Sequence, residues 1–109
     1  MVYSASLAER VRHALRSQRR ITEKTLFGGV GFMLQGNLLV CVWQSSLIVR
    51  LGAEQATVAL DQAHVHPFDV TGRPMKGWIM VEPDGLETDE QLGDWLTLAL
   101  KFVKTLPAK

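Results

Sequence analysis

Residues 32–51 read Phe32-Met33-Leu34-Gln35-Gly36-Asn37-Leu38-Leu39-Val40-Cys41-Val42-Trp43-Gln44-Ser45-Ser46-Leu47-Ile48-Val49-Arg50-Leu51. Short apolar runs separated by small polar groups are the pattern of a β meander. Gly36-Asn37 is a two-residue hairpin signal, since both residues tolerate positive φ. The run Leu38 to Trp43 is apolar on both faces, which predicts a central strand covered on both sides. Gln44-Ser45-Ser46 is the next turn, residues 47–51 the next strand, and Gly52 stops it.

Upstream, residues 22–27 form a further strand, ending at Phe27. Gly28-Gly29-Val30-Gly31 breaks it with a turn or bulge, and residues 32–35 continue as strand. Before the sheet, residues 6–17 read as a helix. Ser6 and Glu9 make a capping box, and Leu7, Val11, Ala14, Leu15 and Gln18 fall on one face. Arg12, Arg16, Arg19 and Arg20 fall on a neighbouring stripe.

Downstream, residues 53–60 read as a short helix with Ala56, Ala59 and Leu60 inward. Residues 64–67 are a connection. Phe68-Asp69-Val70 and Trp78-Ile79-Met80-Val81 are two further strands, and Pro83-Asp84-Gly85 is a type I turn. The last helix is signed by a Thr88/Gln91 capping box, by Asp89 and Glu90 at its positive end, and by a broad apolar face through Leu92, Trp95, Leu96, Ala99, Phe102, Val103 and Leu106. Pro107 ends it. The expected fold is α+β, a two-layer domain with helices packed on a mainly antiparallel sheet, in the order α-β(3-4)-α-β2-α.

The 109 residues are expected to form a single domain, 1–109. An apolar content of 47% with 21% charged residues supports a packed core and argues against disorder. The longest apolar run is far short of a membrane span. Glu9 and Arg10 precede any hydrophobic stretch, unlike a secretory leader. The expected location is therefore the cytoplasm, with no membrane partner. Net charge is +1, so the chain as a whole has no strong pull toward nucleic acid. Cys41 stands alone, excluding an internal disulfide, and its apolar neighbours read as core.

No Ser/His/Asp signature, metalloprotease motif or Cys-His constellation is present. His64-Val65-His66, with Asp61 or Asp69 nearby, lacks the third and fourth ligands a zinc site wants. No catalytic residue, metal or cofactor is expected. The glycine stretch Phe27-Gly28-Gly29 lacks the G-x-G-x-x-G spacing and the following helix that phosphate cradling uses, and reads as structural. The arginine stripe, Arg12, Arg16, Arg19 and Arg20, reads as a solvated face, or as phosphate contacts if functional. The stretch best suited to recognition is Gly72-Arg73-Pro74-Met75-Lys76-Gly77-Trp78. It joins a planar cation, a rigid proline, a thioether, a second cation and an aromatic, and loops on rigid scaffolds often carry binding.

Two of these stretches carry a family resemblance. Leu26-Phe27-Gly28-Gly29-Val30-Gly31-Phe32 resembles the M-F-G-G-x-G-F signature of the TfoX/Sxy N-terminal domain family, with leucine where methionine is usual. Thr71-Gly72-Arg73-Pro74-Met75-Lys76-Gly77-Trp78 resembles its T-G-R-P-M-K-G-W signature. Trp95 and the ending Leu106-Pro107-Ala108-Lys109 are also similar. The resemblance implies helices on one side of an antiparallel sheet and supplies no catalytic residues. Named members regulate natural competence, acting with a cyclic-AMP receptor protein on DNA, and carry a second, C-terminal domain. This chain ends at Lys109 without one, so the expectation is a stand-alone member. The expected function is a non-enzymatic binding or regulatory module acting on another protein, a second copy of the chain included. The alternatives are a nucleic-acid-associated regulator of competence or transcription, and a small-ligand-binding domain.

Overall fold

A computed structural model describes residues 3–26, 28–68 and 76–108. The first helix is α1 (Ala5–Ala14), and its cap lies two residues before the expected Ser6. Ser4 is the N-cap, its Oγ accepting from the Leu7 N–H. Its own N–H is held by the Gln44 carbonyl at 2.7 Å, which fixes the extended entry that capping requires. Glu9 is released from capping and pairs with Arg12 instead. The helix stops at Ala14 with two tight closing turns, Arg16 N–H to His13 O and Gln18 N–H to Leu15 O. Leu7, Ala8, Val11 and Leu15 are buried, whereas Ala14 is exposed.

The meander consists of β1 (Ile21–Leu26), β2 (Gly29–Leu34), β3 (Asn37–Trp43) and β4 (Ser46–Arg50). Two expectations are corrected here. Gly29 and Gly31 lie inside β2, paired with Leu26 and Lys24 of β1. Of the glycine stretch, only Gly28, at φ 79°, belongs to the turn. The next hairpin turns on Gln35-Gly36, at φ 52° and 86°. Both central residues are left-handed, as a twisted two-residue hairpin needs. Asn37 is not free to turn: it is 3% exposed, and its Nδ2 donates to the Pro107 carbonyl at 2.8 Å, tying the hairpin to the chain's end.

After β4 come α2 (Ala53–Ala59), β5 (Val65–Pro67), β6 (Trp78–Val81), a 3-10 turn at Pro83–Gly85, and α3 (Asp89–Val103). The stretch expected as a connection is therefore the edge strand β5, because Val65 is drawn into the core opposite Val81. Phe68 is buried but lies outside any strand, and Asp69 and Val70 lie outside the described residues. Leu60, expected inward, is exposed, since the helix has ended at Ala59 and only Ala56 and Ala59 point into the core. The Thr88/Gln91 capping box of α3 forms in both directions.

The six strands form one sheet in the order β1-β2-β3-β4-β6-β5, antiparallel at every pairing. This is the expected α+β architecture, with three helices among the described residues. Buried residues of α1, α2 and α3 share one apolar cluster with Val30, Phe32, Leu34, Val40, Val42, Leu47, Val49, Ile79 and Val81. The alternation of these positions places all three helices on one face of the sheet. Leu39 joins the same cluster beside Val40 because the pairing steps from Phe32↔Val40 to Met33↔Leu38. Leu39 is the extra residue of a bulge. On the opposite face Cys41, Ile48 and Phe68 form a second, smaller cluster flanked by Leu26, Trp43, Trp78 and Met80. The central strand is thus apolar on both faces, as its composition predicts.

Candidate functional site

Of the recognition stretch, Gly72, Arg73, Pro74 and Met75 lie outside the described residues, while Lys76, Gly77 and Trp78 are placed. Gly77, at φ 87°, needs the left-handed freedom of glycine. That backbone turn aims its carbonyl at the Leu51 and Gly52 amides, which donate at 2.8 and 3.1 Å. The end of the stretch is therefore bolted to the start of α2. Trp78 follows as the first residue of β6, opposite Arg50.

Arg50 was not singled out by sequence reasoning, because its partners come from distant segments. Its guanidinium stands 5.1 Å from the Trp78 ring centroid and 5.9 Å from that of Phe102, a cation held between two aromatic faces. Phe68 meets the Trp78 ring at 6.4 Å and 53°. Among the described residues no carboxylate lies within ion-pair distance of Arg50 or Lys76.

Beside Trp78 runs a groove of about 390 Å³. Ala53, Ala56, Thr57 and Leu60 supply one wall, at the spacing of a single helical face. Pro67, Lys76, Gly77 and Trp78 complete the lining. The two large hydrophobic residues exposed among the described ones, Val58 at 58% and Leu60 at 38%, both belong to this α2 segment. The groove thus joins the placed end of the recognition stretch to a helix whose sequence gave no functional signal.

The other candidates separate in space. A side chain at Gly29 would put its Cβ 2.0 Å from the Val42 carbonyl oxygen, so strand packing by itself requires glycine there. The arginine stripe is not one surface. Arg12 makes a two-pronged contact with Glu23, at 2.7 Å on each prong, and also holds Glu9. The Glu23 hydrogen bond raises the Arg12 pKa further, and the same bond holds the Glu23 carboxyl below the usual carboxylate range. Arg16 donates to the His13 carbonyl at 2.7 Å. Arg19 and Arg20 lie beyond the helix, beside Lys104.

His64 and His66 share an acidic neighbour, but it is Glu82: His66 Nε2 is 2.9 Å and His64 Nδ1 4.0 Å from its carboxylate oxygens. Asp61 is not in that cluster, and Asp69 lies outside the described residues. No grouping of three metal-ligating side chains occurs among the described residues. Burial pushes the Cys41 thiol up to about 11, which leaves it protonated at neutral pH and a weak nucleophile.

Among the described residues no helix is long and apolar enough to cross a membrane. No curated protein and no solved structure is significantly similar to the chain. The family model of the TfoX N-terminal domain matches residues 13–103, and the chain belongs to that family.

Proposed function

We propose that this member of the TfoX N-terminal domain family is a non-enzymatic, cytoplasmic binding module that acts through protein–protein interaction, using the groove between α2 and Trp78. The observation that carries this reading is the coincidence of the exposed hydrophobic Leu60 with a concave, mostly apolar cleft whose lining includes the cation Lys76. A cleft of this size accepts one or two large side chains. Burying one such side chain contributes roughly 1.5–3 kcal/mol. Lys76, without a carboxylate partner among the described residues, selects a negative group next to that anchor. The partner is therefore a protein segment with a large apolar side chain flanked by Asp or Glu.

Self-association through the edge strand β1 is a weaker alternative. Antiparallel pairing of two copies of β1 that keeps the faces continuous, centred on the strand, sets Glu23 against Glu23 or Lys24 against Lys24. Like charges directly opposite are unfavourable.

Selection of random peptides displayed on phage tests the proposal. The expected enrichment is for Leu, Phe, Trp or Met beside Asp or Glu, with binding lost in Trp78→Ala and weakened in Lys76→Glu. Enrichment of sequences without an acidic flank, or binding that survives both variants, would overturn it. Failure to enrich, with the chain forming dimers instead, would replace the peptide partner with a second copy.

A further inference from the structure

Beyond the groove, a second concavity of about 500 Å³ lies at the opposite end of α3 from its N-cap. Arg19 and Arg20, from the segment after α1, and Lys104, the C-cap of α3, line it together. Gln18 and Gln35 add neutral donors. No carboxylate belongs to the lining, and among the described residues none pairs with any of the three cations. This contrasts with Arg10 and Arg12, each of which has an acidic partner. Three like charges around one hollow repel each other unless an anion sits among them.

The backbone at Arg20 is tied to the β2–β3 hairpin. Arg20 adopts φ 65°, a conformation that costs free energy for a residue with a Cβ, and Gln35, at φ 52°, is the first residue of the β2–β3 hairpin turn. The Gln35 N–H donates to the Arg20 carbonyl at 3.2 Å, locking the two left-handed residues together. Lys104 at the end of α3 also offsets the helix dipole, but that role needs neither arginine.

We propose that this hollow binds the phosphate group of a small phosphorylated molecule. Arginine forks match phosphate oxygens in pairs, and a lysine adds a point charge. The cations converge on one concavity instead of forming a track. Arg12 is paired with Glu9 and Glu23, and Arg10 with Asp89, so along α1, beyond Arg16, a nucleic-acid backbone finds no unpaired arginine. This inference does not depend on the groove.

An NMR titration of the whole chain with inorganic phosphate, pyrophosphate and AMP, at constant ionic strength against chloride, tests it. Saturable shifts are expected at the Arg19, Arg20, Gln35 and Lys104 amides, with pyrophosphate bound more tightly than phosphate. The Arg20→Gln/Lys104→Gln double variant should weaken binding about tenfold or more, and Arg19→Gln alone by less. All three side chains are exposed, so an unchanged melting temperature is expected and checks the fold. Shifts that do not saturate, shifts centred elsewhere, or unchanged affinity in the double variant would overturn the site. So would binding of a DNA duplex, steeply salt-dependent, with no response to pyrophosphate.

Discussion

Replacing Gly29 with alanine is expected to damage this fold far more than the same change at Gly31, two residues along the same strand. At Gly29 the new Cβ would lie 2.0 Å from the Val42 oxygen and 3.1 Å from its carbon. The obstacle is backbone, so no rotamer relieves it. The carbonyl must withdraw by roughly 1 Å in a strand paired on both sides, which disturbs the β2–β3 ladder where Val30 meets Val42. Overpacking of this kind costs about 3–4 kcal/mol. For a chain of this size that lowers the melting temperature by roughly 12–20 °C. At Gly31 the Cβ meets the Cδ1 atoms of Leu26 and Leu38, each at 2.8 Å. Both are ends of flexible, half-buried side chains that can turn aside, at about 1 kcal/mol. Urea and thermal unfolding of the two variants measure the difference. If Gly29→Ala melts within about 3 °C of the parent chain, the strand-packing explanation for this glycine is wrong and a ligand role for the stretch regains its place.

The Arg12–Glu23 contact should be visible in acid. Glu23 titrates below its ordinary value in the folded chain because Arg12 bonds its charged form, so this contribution is present above the unfolded carboxylate pKa and is lost as pH falls through the lowered one. Glu23→Gln should therefore cost about 0.5–1 kcal/mol at pH 7, both side chains being over a third exposed, and progressively less as pH falls into the acid range; a cost that does not change with pH would refute the charge argument. Cys41 should resist a thiol reagent at pH 8 until the chain unfolds. Its raised pKa should also remove about 2–3 kcal/mol of stability as pH climbs from 9 toward 11. That decline should be absent from Cys41→Ala, and rapid native-state labelling would contradict it. Asn37→Ala leaves the Pro107 carbonyl without its donor and should cost about 1–2 kcal/mol in urea unfolding; a neutral result would mean the chain's end does not depend on that bond.

Much of the fold was legible because it is encoded locally. Thr88 and Gln91 start α3 with a reciprocal cap that needs no tertiary partner, and the apolar run through Cys41 marks a strand buried on both faces. The misreadings arose where distant groups decide the outcome. Gly36-Asn37 is the better hairpin signal by composition, yet Pro107 takes the Asn37 side chain, and Gln35 accepts the left-handed position instead. Ser6 caps as well as Ser4 in isolation, but the Gln44 carbonyl selects Ser4. The candidate site was legible in part. Lys76, Gly77 and Trp78 stood out by residue type, whereas Leu60, Pro67 and Arg50 join them only because α2 packs beside β6 and β4 pairs with it. The arginine row looked continuous because Glu23, which pairs with Arg12, comes from another segment.

The proposed occupant of the α2–Trp78 groove is an apolar-acidic segment of another protein. The most direct test of this proposal is a heteronuclear NMR titration of the whole chain with a display-selected peptide. The expected result is saturable perturbation of the Ala53, Ala56, Thr57, Leu60, Lys76 and Gly77 amides and of the Trp78 indole, abolished by Leu60→Lys. Perturbations centred on another surface, or unchanged affinity in Leu60→Lys, would contradict the claim.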